Sequence, residues 1–158
     1  MGENHFEAYV REVEYLLRKV SFIVKKRGRD ILSDFDITPP QFNALLVLAS
    51  NDNLTMGELC KRLFLASSTV TDLVDRMEKS GLVTRERDPE DRRVIRLKVL
   101  DRGHELIQKV MARRIAYLTQ VLSQVDPEQR EHLRDALHSL YNIMTEAKVD
   151  TSITTART

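Results

Sequence analysis

The chain has 158 residues, of which 42% are hydrophobic and 31% are charged, and its formal net charge is +1. This composition predicts a soluble globular protein rather than a disordered chain. The only cysteine, Cys60, excludes an intramolecular disulfide, and the first residues, Met1–Phe6, lack the basic and apolar segments of a signal peptide. No apolar run approaches membrane-spanning length, so we expect a cytoplasmic protein that does not bind a membrane.

An N-terminal helix is predicted from about residue 4 to residue 33, because apolar residues recur there at helical spacing. The basic cluster Lys25–Arg29 is interpreted as a solvated helix face, and Gly28 as a position where the helix bends or loosens. After a linker, Thr38–Gln41 combines a capping threonine, prolines at the start of a helix and a glutamine three residues after the cap. The helix that it opens is apolar almost all round, which predicts burial at the centre of the domain.

A short helix and a tight connection follow. Thr55 and Glu58 have the spacing of a second capping box. The connection Phe64–Ala66 is apolar, and either Ser67 or Ser68 is expected to cap the next helix.

That next helix carries apolar residues at positions i, i+3, i+4 and i+7, which predicts one buried face. Its other face carries hydroxyl, acidic and basic side chains, and Gly81 follows it where a left-handed C-terminal residue is favoured. Two helices joined this closely are typical of a helix-turn-helix. The predicted buried residues are Val70, Leu73, Val74 and Met77.

A β-hairpin is predicted directly after these helices. Leu82–Arg87 and Val94–Val99 alternate as strands do, and the polar segment Asp88–Arg93 between them contains Pro89, which cannot join a central ladder. A hairpin with arginines at its tip, placed directly after a helix-turn-helix, indicates a wing. We therefore predict a mainly α fold with a small β-hairpin, a winged helix-turn-helix domain.

Two further helices are predicted from about residue 101 to 123 and from 127 to 147, the second opened by Asp126–Gln129. The terminal helices carry more apolar surface than a small winged domain can cover, which indicates pairing with a second copy. The expected division is a dimerisation region at residues 4–36 and 101–147, a winged helix-turn-helix domain at 37–100, and a frayed tail at 148–158.

Several segments resemble the MarR family of bacterial transcriptional regulators. The most specific are Ser67–Glu78, Gly81–Val83 and the wing sequence Asp88–Arg93. Ile37–Phe42 is similar to the start of the second helix of that family, and Asp101–Gly103 to the start of its fifth.

The resemblance covers about residues 6–147 and implies a homodimer that binds double-stranded DNA at a near-palindromic operator. It also implies a repressor that a small aromatic or phenolic effector releases. Two positions depart from the family pattern. Leu100 stands where the family has a capping threonine, so Asp101 is expected to cap, and Asp72 stands where many members have a basic residue.

Nine residues are predicted to contact DNA. Short hydroxyl side chains near a helix start suit phosphates and base edges. Asp72 is expected to pair with a neighbouring cation, whereas Arg76 is equally a phosphate contact or a solvated charge. In the wing, Arg92 is expected in the minor groove, while Asp88 or Asp91 holds the other arginine and fixes the shape of the loop. The resemblance implies the pair Asp91 and Arg93. The predicted residues are Lys61, Ser67, Ser68, Thr69, Thr71, Asp72, Arg76, Arg92 and Arg93.

An effector crevice is implied by the resemblance alone. Its candidate lining residues are aromatic or apolar, and such residues at helical spacing are equally expected in a core. The candidates are Tyr9, Tyr15, Phe42, Met111 and Tyr117.

Other site chemistry is not expected. His132 and His138 are six residues apart on one helix and face different directions, so no metal pair and no cofactor is predicted. No catalytic arrangement is recognisable, and no enzyme activity is predicted. Two alternatives stay open: a thiol-based oxidation-sensing regulator that uses Cys60, and a dimeric adaptor without DNA readout. For Cys60 a small core residue is the favoured interpretation.

Overall fold

The computed structural model describes residues 2–146, with side chains from residue 4 onward. The mainly helical architecture with one antiparallel hairpin confirms the predicted fold class. The elements are α1 (Gly2–Ser33), α2 (Pro39–Ala49), α3 (Met56–Leu63), α4 (Ser67–Lys79), β1 (Val83–Arg87), β2 (Ile95–Val99), α5 (Asp101–Leu122) and α6 (Pro127–Glu146). The chain divides into two compact units, residues 1–115 and 116–158. The predicted tail at 148–158 lies outside the described residues.

Both predicted capping boxes are present. The Thr38 backbone N–H donates to Gln41 Oε1 at 2.9 Å, and the Gln41 N–H donates to Thr38 Oγ1 at 3.4 Å. Thr55 and Glu58 exchange the equivalent bonds at 2.8 and 3.2 Å. The Thr55 N–H also lowers the pKa of the Glu58 carboxyl, because the bond favours the charged form. Two orphan N–H groups are satisfied at each helix start, which explains why α2 and α3 begin where predicted.

Two predicted caps are wrong. The N-cap of α4 is Ala66, in extended conformation and without a side-chain bond, and Ser67 is the first helical residue. The reason is that Phe64, at φ 54°, ends α3 in the left-handed region and turns the chain early. At α5 the carbonyl of Leu100 accepts from the Gly103 and His104 N–H groups, so Leu100 is the cap and Asp101 is helical.

The core surrounds α2, as its apolar sequence predicts. Phe42, Leu45 and Leu48 are buried there, and the predicted inner face of α4 is buried as well. Gly103 permits close packing at the start of α5, because a Cβ at that position would collide with Leu82 O and Val99 Cγ1. Gly28 does not interrupt α1, which runs as one helix through it.

The hairpin is attached to the rest of the winged domain. Val83 pairs with Val99 and Arg87 with Ile95. The Leu97 N–H donates to Leu54 O at 2.8 Å, beside a bridge between Thr55 and Arg96. The second strand of the wing is therefore hydrogen-bonded to the connection between α2 and α3.

The helical ends of the chain leave apolar surface uncovered. In the first unit, α1 exposes a long apolar stripe that includes Phe6, Val20, Phe22 and Ile23. In the second unit, α6 has no buried residue in its described range. None of the described helices is both long and apolar enough to cross a membrane.

Candidate DNA-binding surface

The start of α4 presents short hydroxyl side chains to solvent. Ser67, Ser68, Thr69 and Thr71 are all exposed, while Val70 beside them is fully buried and anchors the helix. Because Ala66 supplies no side-chain cap, the first N–H groups of α4 have no side-chain acceptor there. This end of the helix combines free donors with the positive end of the helix dipole, which favours an anion.

Asp72 pairs with a neighbouring cation, as predicted. Arg76 Nε lies 3.1 Å from Asp72 Oδ2 across one turn of α4, and both side chains are more than half exposed. An exposed pair of this kind contributes less than about 1 kcal/mol. A phosphate can therefore replace Asp72 as the partner of Arg76 at little cost. Lys61, on α3, is also exposed.

The wing tip separates two adjacent arginines. Asp91 Oδ1 accepts from the Arg93 backbone N–H at 3.0 Å and from Arg93 Nε at 3.2 Å, which confirms the predicted pair. Arg92 is exposed and, within the described part of the chain, has no hydrogen bond or ion pair. Both arginines are exposed, Arg93 by 92% of its side chain, and Arg92 is the one that Asp91 does not hold.

Asp88 orders the base of the wing loop. The sequence offered Asp88 or Asp91 as the aspartate that holds a wing arginine and fixes the loop; Asp91 holds Arg93, whereas the bonds of Asp88 to Arg96 and to the backbone were not predicted. One carboxylate oxygen accepts from the Glu90 and Asp91 N–H groups at 2.8 and 3.1 Å, and the other accepts from Arg96 Nε. The bond from Arg96, followed by those from the two backbone N–H groups, lowers the pKa of Asp88. The Asp-Pro sequence was the available signal, since an aspartate often bonds the backbone two residues on. Arg96 Nη1 also donates to Asn53 O at 2.8 Å.

Arg85 was also missed, and it joins the wing to α4, the second helix of the helix-turn-helix, which is called the recognition helix below. Its Nη1 lies 2.6 Å from Glu78 Oε2 and its Nη2 lies 2.5 Å from Asp75 Oδ1. Its backbone N–H donates to Glu78 Oε1 at 3.0 Å. Asp75 and Glu78 are therefore occupied by Arg85. No sequence signal pairs these residues, because strand and helix meet only after folding.

The five candidate effector residues have different environments. Phe42 is a core residue with the Arg114 guanidinium 5.1 Å from its ring centroid. Tyr9 is exposed beside Phe6, and Tyr15 is exposed between two cations. Met111 is 38% exposed, and Tyr117 is half-buried in the second unit.

A separate pocket of about 500 Å³ lies where the α1–α2 connection, the end of α4 and the start of α5 meet. None of the five candidates is among its described lining residues. Its rim carries two cations, Arg102 and Lys109, and two carboxylates, Asp36 and Glu105. The apolar lining residues are Phe35, Ile37, Leu82 and Leu106.

Cys60 is a free, half-buried thiol that packs against the core, in agreement with the favoured interpretation. Among the residues that the structure describes, no group of three or more histidine, cysteine or acidic residues could hold a metal ion.

Comparisons with known proteins agree with a winged helix-turn-helix fold. A family model described as the MarR family matches residues 35–94. The uncharacterised HTH-type transcriptional regulator YsmB of Bacillus subtilis is 40% identical over 86% of this chain and 93% of its own length. A MarR family protein from Bacillus stearothermophilus superimposes with a TM-score of 0.81 at 43% identity, covering 88% of this chain and 97% of that one. A MepR variant from S. aureus, bound to an oligodeoxyribonucleotide, has a TM-score of 0.68 at 25% identity and covers 83% and 96%. The chain belongs to the MarR family of helix-turn-helix transcriptional regulators.

Proposed function

We propose that the protein is a homodimeric, sequence-specific DNA-binding repressor that a small-molecule effector releases from its operator. The observation that carries the proposal is the uncapped, hydroxyl-rich start of α4 together with a wing arginine, Arg92, that has no ion pair among the described residues. The first suits phosphates and base edges in a major groove, and the second suits the narrow minor groove beside it.

In this proposal each part of the surface has a role. Ser67, Ser68, Thr69 and Thr71 contact phosphates or bases, and Lys61 and Arg76 contact phosphates. Arg92 enters the minor groove while Asp91 keeps Arg93 at the wing surface. The DNA-bound MepR structure supports the same use of the fold.

Two features support the dimer and its release. The exposed apolar stripe of α1, and α6, which has no buried residue in its described range, offer surface to a second copy. A twofold dimer places two recognition helices about one DNA turn apart. A ligand releases such a dimer only if it binds better to an arrangement with altered helix spacing. The pocket of about 500 Å³ beside the end of α4 is large enough for a small aromatic acid.

The first test is fluorescence anisotropy with DNA from upstream of the protein's own gene and a scrambled duplex, at near-physiological salt. We expect the native fragment to bind roughly a thousandfold more tightly. Ser68→Ala and Arg92→Ala should each weaken that binding. Ser80→Ala, at the opposite end of the same helix, should not.

Equal and weak binding to both duplexes, lost steeply with salt, would reflect phosphate contacts alone and would count against operator recognition. A folded dimer that binds neither duplex would favour the adaptor alternative.

A further inference from the structure

Arg85 bonds the first wing strand to the recognition helix. Arg85 donates two side-chain bonds and one backbone bond to two carboxylates of α4, on Asp75 and Glu78. The Arg85 side chain is only 26% exposed. Backbone and side chain are therefore both held, and strand β1 cannot rotate about its own axis without breaking these bonds.

The second strand is fixed to a different part of the domain. The Leu97 N–H donates to Leu54 O, and Arg96 donates to Asn53 O. Leu97 is directly opposite Arg85 in the hairpin register. The hairpin is thus held at one level from both sides, by α4 through Arg85 and by the α2–α3 connection through β2.

A tilt of the hairpin about these two anchor points would move its tip. The wing tip begins three residues after Arg85, which at about 3.3 Å per residue places it about 10 Å away. A tilt of the hairpin by about ten degrees would displace the tip by about 2 Å, which is more than a hydrogen bond tolerates. The bonds of Arg85 are therefore placed where a small change has a large effect on Arg92.

We propose that Arg85 is a positioning residue that sets the angle between the recognition helix and the wing, so that one protomer engages a major groove and the adjacent minor groove together. The inference rests on the proposed DNA-binding function. Arg85 itself need not touch DNA, since its guanidinium is already occupied by Asp75 and Glu78.

A double-mutant cycle tests this role. Arg92→Ala should weaken operator binding about tenfold or more in the wild-type background. In an Arg85→Met background the same substitution should weaken binding by only about threefold or less, because β2 still holds the hairpin but α4 no longer fixes the angle of its tip. Arg85→Lys, which keeps the charge but lacks the planar pair of guanidinium nitrogens that reach the two carboxylates separately, should give an intermediate value.

A purely stabilising role of Arg85 would leave the cost of Arg92→Ala equal in both backgrounds, and that result would overturn the inference. Glu86→Gln is the matched control, since it removes an exposed pair with Lys98, 3.9 Å apart on the same hairpin, that does not reach α4. In the Glu86→Gln background, Arg92→Ala should weaken operator binding as much as it does in the wild-type background.

A second variant and a second readout guard against misfolding. Asp75→Asn removes only the more exposed of the two carboxylate partners and should reduce the coupling in part. Footprinting should show that Arg85→Met keeps protection of the major groove and loses protection of the minor groove at the wing. Loss of both together in a folded variant would contradict the proposal.

The wild-type protein separates the two hypotheses. If it does not prefer its operator, the proposed function fails and this inference fails with it. If it does prefer its operator and the two substitutions are additive, only the role of Arg85 is overturned.

Discussion

Among the described residues, Asp36, Asn53 and Phe64 are the non-glycine residues with positive φ. Aspartate and asparagine tolerate the left-handed region because their side chains bond locally, whereas phenylalanine has no such compensation. Phe64 is also 93% exposed, so packing does not offset its strain. This backbone strain lies in the turn between α3 and α4, the two helices of the helix-turn-helix.

Phe64→Gly should therefore stabilise the protein by about 0.5–1 kcal/mol, because relief of left-handed strain exceeds the added freedom of the unfolded chain. Urea denaturation measures this free energy. Phe64→Ala is the control, since it removes the ring and keeps the Cβ. Equal stability of the two variants would contradict the strain argument.

Two glycines should respond in opposite directions to alanine. Gly103→Ala should destabilise by about 1–3 kcal/mol, because the new Cβ would collide with the Leu82 carbonyl. Gly57→Ala, in α3 with open space around it, should stabilise by about 0.5–1 kcal/mol. Thermal and urea unfolding of the two variants measure both changes in stability. A Gly103→Ala variant as stable as the wild type would refute the close packing of Gly103 against the Leu82 carbonyl.

The wing is ordered by charge. Its two strands have five residues each, and the loop between them is held by one carboxylate that accepts from two backbone N–H groups and from Arg96. A short hairpin is only marginally stable by itself, so the loop needs these additional bonds. The carboxylate belongs to Asp88, which is almost fully buried.

The wing should therefore respond to pH through Asp88. Its pKa is lower in the folded protein than in the unfolded chain, so its stabilisation is present above the ordinary aspartate value of about 4 and is lost as the pH falls through the lower folded pKa. Asp88→Asn should be less stable than the wild type at pH 7, and the difference should narrow below about pH 4.

Urea unfolding across a pH series measures the difference. Asp72→Asn is the control, because its partner Arg76 is exposed and the pair contributes little at any pH. A constant gap between Asp88→Asn and the wild type would show that charge is not the cause.

The terminal helices expose many large apolar residues that nothing within the described part of a single chain covers. Leu133, Leu137, Tyr141 and Met144 of α6 are each more than 40% exposed. Such surface on a monomer usually marks an interface. The proposed dimer accounts for it.

Leu137→Glu should accordingly weaken self-association on the order of a hundredfold, because it buries an unpaired charge in the interface. His138→Glu, the adjacent position, is the control and should have a smaller effect. Sedimentation equilibrium measures both. Monomeric wild-type protein at micromolar concentration would refute the dimer.

The family and the winged fold were predictable because their signals are short-range. A capping box needs residues three apart, as at Thr38 and Thr55, and an amphipathic helix repeats over one or two turns. The pairs Asp72–Arg76 and Asp91–Arg93 were predictable for the same reason. Each of these interactions is complete within a few residues of chain.

The bonds that place the wing were not predictable. Arg85 reaches back seven and ten residues to α4, and Arg96 reaches 43 residues back to Asn53. Arginines and aspartates of the hairpin admit many pairings in the unfolded chain, and only the packing of Val83 and Leu97 into the core brings one set within bonding distance. The cap at Ala66 was missed for a different reason: it depends on the left-handed turn at Phe64, a conformation that the sequence pattern at a phenylalanine does not indicate. Local pattern specified the elements, and the burial of their apolar faces selected which charges meet.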